Sequence, residues 1–157
     1  MTTSSTTSST SPGGDAPGVL PSTSPRLVID MPAPGIRAIH VGGVVGTGSA
    51  ARLLRLIDSQ LMLVRSGHLR LTAVVVDLSQ VRALEQGGPE AFAHARYGCG
   101  RLGIEFALAG TSGALFSTSL DLRGRLREFR MFPTVDAAVD AFVGPSKAPL
   151  TPGAVDD

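Results

Sequence analysis

The fold is decided by residues 74–89, which read Val-Val-Val-Asp-Leu-Ser-Gln-Val-Arg-Ala-Leu-Glu-Gln-Gly-Gly-Pro. The run 71–76 that leads into this stretch is apolar and largely β-branched, which is typical of a central strand covered on both faces. Polar residues follow and predict a loop from Ser79 to Gly88. Pro89 then opens a helix at a position where its missing N–H costs nothing. The stretch therefore predicts a buried strand, a polar loop and the start of a helix.

The same kinds of pattern extend in both directions along the chain. Strands are predicted at 26–31, 36–41, 71–76, 104–109 and 128–132, and helices at about 49–65, 89–102, 112–122 and 136–142. Alternating strands and helices require parallel neighbours joined by right-handed crossovers. The predicted fold class is α/β: a single domain with a mixed, mainly parallel β-sheet and about four helices packed mainly on one face. Helical spacing predicts burial against the sheet for Leu53, Ile57, Leu61, Phe92, Ala95 and Leu102.

The two ends of the chain have a different composition. Residues 1–25 are dominated by Ser, Thr, Pro and Gly. Such a segment buries too little apolar surface to offset the entropy cost of ordering, which predicts a disordered tail. Residues 144–157 contain three prolines and are expected to form a second, flexible tail. The domain is therefore expected to span residues 26–143.

Composition excludes several classes of function. The net charge is only +1, so no broad electrostatic field favours nucleic acid. No apolar run reaches the roughly 18 residues that a membrane span needs, and no secretion signal is evident. Cys99 is the single cysteine, which excludes an internal disulfide and favours the reducing cytoplasm. The three histidines lack the spacing of metal ligands, so neither a metal site nor a cofactor is expected.

Three local stretches in register resemble the STAS domain family, which includes the anti-sigma factor antagonists. The first is Val-Val-Val-Asp-Leu-Ser at 74–79, followed at the family's spacing by Leu84 and Gly88. The second is Gly-Ile-Glu-Phe-Ala-Leu-Ala-Gly at 103–110, and the third runs from Gly124 through Phe-Pro-Thr-Val-Asp-Ala-Ala at 132–138. The resemblance covers nearly the whole predicted domain, from about Arg26 to Val143.

The resemblance places the family's phosphorylated serine at a residue that cannot be phosphorylated. In phosphoregulated antagonists the corresponding loop reads Asp-Ser-Ser-Gly, and a partner kinase phosphorylates the second serine. Those four positions fall on Glu85, Gln86, Gly87 and Gly88 of this chain. Gly87 has no hydroxyl, so the family's phosphoacceptor is expected to be missing here.

The family implies a non-enzymatic, protein-binding module whose partner is an anti-sigma factor or a serine-kinase-like ATPase. Other STAS proteins are a second class of partner. The resemblance centres the contact surface on the predicted loop and the exposed side of the following helix. The expected contact residues are Ser79, Gln80, Arg82, Glu85, Gln86, Gly87, Gly88, Glu90 and His94.

Two alternatives remain open. The first is a scaffold role in a larger STAS assembly or as a subunit of a lipid-handling transporter. The second is nucleotide binding, because Gly-Thr-Gly-Ser-Ala-Ala at 46–51 matches a loose dinucleotide pattern between a strand and a helix. In that interpretation Asp77, at the end of a later strand, would bind the ribose. The spacing to Asp77 is longer than usual, and a tight turn with close helix–sheet packing explains the glycines better.

Overall fold

Five strands and four helices make up the part of the chain that the structure, a computed structural model, describes: residues 26–111 and 119–144. The strands are β1 (Arg26–Ala33), β2 (Ile36–Val45), β3 (Ala73–Leu84), β4 (Glu105–Ala109) and β5 (Arg130–Phe132). The helices are α1 (Thr47–Arg65), α2 (Gly88–Gly100), α3 (Leu120–Leu126) and α4 (Val135–Val143). Both predicted tails, and residues 112–118 of the predicted third helix, lie outside the described residues.

The strands form one sheet in the order β1-β2-β3-β4-β5. β1 and β2 form an antiparallel hairpin around the turn at Pro34 and Gly35, where Gly35 adopts a φ of +80°. All the other neighbouring strands are parallel. The predicted mixed, mainly parallel sheet is therefore confirmed.

Three of the four helices contribute to the core on one face of the sheet. Leu53, Ile57 and Leu61 of α1 and Phe92 and Ala95 of α2 are buried there, as their helical spacing predicts. α3 adds Leu122 and Leu126 beside α2. Leu102 is only partly buried, because it lies just beyond the end of α2.

The opposite face is covered by α4, which packs over β3, β4 and β5. Ala138 of α4 is fully buried against Val75 and Ala109. At the sheet edge the Arg130 guanidinium lies 5.4 Å from the Phe132 ring centroid and 5.0 Å from that of Phe142. This pairing of a cation with two rings joins β5 to α4.

The predicted polar loop from Ser79 to Gly88 is wrong in its extent, because β3 continues to Leu84. Two irregularities in the pairing with β2 explain the error. The register runs from His40 opposite Asp77 to Gly42 opposite Gln80, and a second shift follows Gly43. Each shift inserts an extra residue into β3, as a β-bulge does.

The bulges change which residues of β3 face the core. Leu78, Val81 and Leu84 are buried, at 0%, 3% and 3% exposure, while Ser79, Gln80 and Arg82 between them are exposed. The buried residues thus recur every third position instead of every second. A strand of this kind lacks the alternation by which strands are detected in a sequence.

Candidate functional site

The loop Glu85–Gly87 joins β3 to α2 and lies against the start of α1. The Glu85 N–H donates to the Val45 carbonyl over 2.8 Å, which ties the loop to the end of β2. Gly87 adopts a φ of +99°, and a Cβ built there would lie 3.3 Å from both Cα and Oγ1 of Thr47. Backbone conformation and close packing therefore both favour glycine at 87. Glu85 and Gln86 are exposed beside it.

Glu90 stabilises this loop from the first turn of α2. Its Oε1 accepts a hydrogen bond of 3.0 Å from the Gly87 N–H, and its Oε2 pairs with the Arg125 guanidinium of α3. A hydrogen bond from its own backbone N–H, with those from Arg125 and Gly87, lowers the pKa of the Glu90 carboxyl. The carboxylate thus provides a negative charge where the helix dipole favours one.

The exposed side of α2 continues the surface of the loop. Glu90, His94 and Tyr97 follow one another at helical spacing and are all exposed, Tyr97 by 67%. Gly88, in contrast, is buried, and a Cβ there would lie 2.5 Å from Cδ1 of Leu84. The structure therefore gathers Glu85, Gln86, Gly87, Glu90 and His94 on one surface, which we call the 85–94 surface, and places Gly88 beneath it.

The remaining predicted contact residues lie on β3 itself. Gln80 and Arg82 line a groove of about 360 Å³ together with Arg26, Val28 and His40. Gly42 also lines this groove, and an added Cβ there would lie 3.5 Å from the Cβ of Gln80. Of the predicted contact residues, Ser79, Gln80 and Arg82 thus lie on strand β3. The others lie on the loop Glu85–Gly87 and on helix α2.

Sequence reasoning missed a polar pair on the sheet. The Nδ1 atom of His40 lies 2.8 Å from Oδ2 of Asp77, and the Ser79 N–H donates to Asp77 Oδ1 over 3.0 Å. Burial raises the pKa of Asp77, but the hydrogen bonds from Ser79 and His40 outweigh it, so the pKa lies below its ordinary value. The one available signal was a carboxylate inside an apolar strand, because such a group needs partners.

The contacts of the 46–51 loop oppose the interpretation as a nucleotide site. Ser49 Oγ accepts from the Gly46 N–H over 2.8 Å, so both groups are already engaged at the N-terminus of α1. A Glu85 carboxylate oxygen would lie 3.5 Å from a Cβ at Gly46, which puts negative charge where a pyrophosphate would bind. The predicted position of Asp77 at a strand end is wrong, because Asp77 lies inside β3, where it is hydrogen-bonded to His40.

Other kinds of site find little support in residues 26–111 and 119–144. Within those ranges no three His, Cys, Asp or Glu side chains gather in a way that could hold a metal ion. Cys99 is fully buried, and burial raises the pKa of its thiol to about 11, so it is not an activated nucleophile. None of the described helices is long and apolar enough to span a bilayer.

Comparison with known proteins identifies the fold. The anti-sigma factor antagonist SpoIIAA in its unphosphorylated form aligns with a TM-score of 0.56 and 12% identity, over 76% of this chain and 99% of SpoIIAA. An anti-sigma factor antagonist from Mycobacterium paratuberculosis gives a TM-score of 0.58 and 22% identity, over 78% and 97% of the two chains. A sulfate transporter family protein from Wolinella succinogenes gives 0.52 and 22%, over 71% and 84%.

No curated protein matches the sequence. The family model of the STAS domain, however, matches residues 32–138, which include every strand from β2 to β5. The match takes in the whole 85–94 surface and the hydrogen-bonded pair of His40 and Asp77. The chain therefore belongs to the STAS domain family.

Proposed function

We propose that this STAS domain is a non-catalytic regulator that binds an anti-sigma factor, a serine-kinase-like ATPase, through its 85–94 surface. The observation that carries the proposal is the exposed loop Glu85–Gly87 beside the exposed side of α2, in a fold shared with anti-sigma factor antagonists. The surface offers carboxylates, an amide and an imidazole, with Tyr97 as an amphipathic side chain at its end. Such a surface suits a polar, reversible protein contact.

Control by phosphorylation at the loop is absent in this proposal. Gly87 stands at the position of the family's phosphoacceptor serine and has no hydroxyl. Its positive φ, and the 3.3 Å that would separate an added Cβ from Thr47, support a loop shape that glycine alone adopts without strain. Partner binding would then depend on the abundance of the protein or on competition between partners.

The first experiment identifies the partner and maps the surface. The full-length protein is immobilised, the bound proteins are identified by mass spectrometry, and the recombinant candidate is titrated by calorimetry. We expect an anti-sigma factor with an ATPase domain, and at least tenfold weaker binding to Glu85→Lys, whose reversed charge lies at the contact. Asp58→Lys, an equal charge reversal on exposed α1, is the matched control and should bind as the wild type does. If the two variants bind the partner with equal affinity, the 85–94 surface is not the contact.

The second experiment tests the missing switch. The protein is incubated with the identified ATPase and ATP, and phosphate is located by mass spectrometry. We expect none on residues 79–88, with a STAS protein that carries the serine as the positive control. Stoichiometric phosphate on Ser79, Thr111 or Ser112 would show that the switch has moved within the chain, and the proposed control by abundance would be wrong.

A scaffold role in a larger assembly is the second candidate. It is favoured by the similarity of the fold to the sulfate transporter family protein from Wolinella succinogenes. In this case the captured proteins would be transporter subunits or other STAS proteins, and they would be recovered from the membrane fraction. Glu85→Lys would then leave capture unchanged if the assembly uses another face of the domain.

A further inference from the structure

Strand β1 is an edge of the described sheet and pairs only with β2. An edge strand presents a row of backbone N–H and C=O groups that another strand can pair with. Two large apolar side chains of β1 are exposed to solvent: Val28 is 52% exposed and Met31 is 50% exposed. Leu27 and Ile29 point the other way and pack against the core under α1. The free edge is therefore partly apolar.

The charges of β1 are arranged symmetrically about Val28. Arg26 lies two residues before it and Asp30 two residues after it, so all three side chains project from the same face. Within the described residues Arg26 has no ion-pair partner. The Asp30 side chain is 61% exposed; one of its oxygens accepts from the Met31 N–H over 2.7 Å, and the other lies 3.8 Å from Nε2 of His40. Both charges are available to a partner at this edge.

We propose that two copies of the protein dimerise by pairing their β1 strands antiparallel about a two-fold axis at Val28. This pairing places Val28 opposite Val28 of the second copy, and Arg26 opposite Asp30 of the second copy, twice. Leu27 then lies opposite Ile29 on the core side. A two-fold interface of this kind is self-complementary and joins the two sheets into one. The dimer does not depend on the proposed anti-sigma partner.

The register follows from the charges. Opposite charges in directly facing positions of an antiparallel pair are favourable, and like charges are not. An axis at Leu27 would place Arg26 against Val28, and an axis at Ile29 would place Asp30 against Val28. Both shifts lose the two ion pairs. Only the axis at Val28 places each of the four charges opposite a charge of the other sign. It also brings the two exposed valines together.

Cysteine cross-linking tests the register directly in the full-length protein. Under oxidised glutathione, Val28→Cys should form a disulfide-linked dimer, since facing residues have Cβ atoms only about 5 Å apart. Met31→Cys is a matched control of similar exposure, and its two copies would lie about 20 Å apart across the axis. The natural Cys99 does not interfere, because it is fully buried. Equal cross-linking of both variants, or none at 28, would overturn the proposal.

A charge swap tests the ion pairs without any oxidant. Sedimentation equilibrium should show a dimer that Arg26→Asp or Asp30→Arg weakens about tenfold, because each replaces two ion pairs with two like-charge contacts. The double variant, Arg26→Asp with Asp30→Arg, should restore the wild-type dissociation constant to within about threefold, since the pairs are regenerated in reverse. Arg101→Asp, at the exposed end of α2, is the control of equal charge change and should have no effect. A monomer at all concentrations, or a double variant as weak as the singles, would show that this edge does not pair.

Discussion

His40 and Asp77 are hydrogen-bonded across neighbouring parallel strands, with 2.8 Å between His40 Nδ1 and Asp77 Oδ2. An ionised carboxylate only accepts hydrogen bonds, so Nδ1 of His40 carries the proton in this pair. The Ser79 N–H bonds the second carboxylate oxygen. Asp77 is thereby stabilised as an anion inside a strand that is otherwise apolar, and its pKa lies below the ordinary value.

The pair makes stability depend on pH. A carboxyl whose pKa is lower in the folded state stabilises the fold above its unfolded pKa, and this contribution is lost as pH falls through the folded pKa. We expect Asp77→Asn to unfold about 1–3 kcal/mol more easily at pH 7, because it loses charge-assisted hydrogen bonds. The difference should narrow below about pH 4, the ordinary aspartate range. Urea unfolding at pH 7 and below about pH 4 measures this difference in the free energy of unfolding. Asp140→Asn, at an exposed position on α4, is the control. If the wild type and Asp77→Asn differ by the same free energy of unfolding in acid, the stabilisation does not come from an ionised Asp77.

The bulged part of β3 predicts opposite outcomes for two neighbouring positions. Leu84 is 3% exposed and belongs to the core, so Leu84→Ala should lower the free energy of unfolding by about 2–5 kcal/mol. Arg82 is exposed, and Arg82→Ala should stay within about 0.5 kcal/mol of the wild type. Denaturant unfolding followed by circular dichroism makes the comparison. Similar losses at both positions would mean that the segment is not a strand with one buried side.

Restoring a serine at the family's phosphoacceptor position should cost stability. Gly87 adopts a φ of +99°, where a side chain costs roughly 1–2 kcal/mol. A new Cβ would also press on Thr47 at 3.3 Å. Gly48→Ser is the matched control, because its Cβ would meet nothing within 4 Å. Thermal unfolding should show a lower Tm for Gly87→Ser alone. If both variants melt together with the wild type, the loop is not constrained as described.

The single thiol should be inert while the protein is folded. Burial raises the pKa of Cys99 to about 11, so its thiolate at pH 8 is roughly 100-fold scarcer than for an ordinary cysteine. Labelling with a chromogenic disulfide reagent should therefore be very slow in buffer and complete in denaturant. Rapid stoichiometric labelling of the native protein would show that the site opens.

The 46–51 loop should not bind nucleotides. The Glu85 carboxylate lies beside Gly46, and the Ser49 hydroxyl is engaged in capping α1. Millimolar NAD, ATP or GTP should leave the Tm unchanged, since a ligand that binds the folded state must raise it. Glu85→Gln removes the repulsive charge and serves as the comparison. A stabilisation that Gly48→Asp abolishes would favour the nucleotide interpretation instead.

The sequence predicted the order of elements well, because long helices and continuous apolar strands leave strong periodic signals. Leu53, Ile57 and Phe92 were assigned to the core correctly on this basis alone. The end of β3 could not be predicted in the same way. Its bulges depend on how Gly42 and Gly43 of another strand pair with it, which is a tertiary property.

The candidate site was less accessible from the sequence than the fold. The resemblance to the STAS family pointed to the 85–94 surface, whereas the ion pair of Glu90 with Arg125 joins positions 35 residues apart, which local patterns do not connect. The pairing of His40 with Asp77 was missed for the same reason, since 37 residues separate them. Side-chain pairs across strands need the register, and the register is set by the sheet as a whole.

The exposed side of α2 gives the protein a built-in optical probe. The chain has no tryptophan and a single tyrosine, Tyr97, whose ring is 67% exposed at the end of the 85–94 surface. The surroundings of a ring that is already in water change little on unfolding. Tyrosine emission should therefore change little when the protein is denatured. Contact with a partner at α2 would remove that ring from solvent. With a partner lacking tryptophan, the emission of the unmodified protein would therefore report association in a titration, without any attached dye.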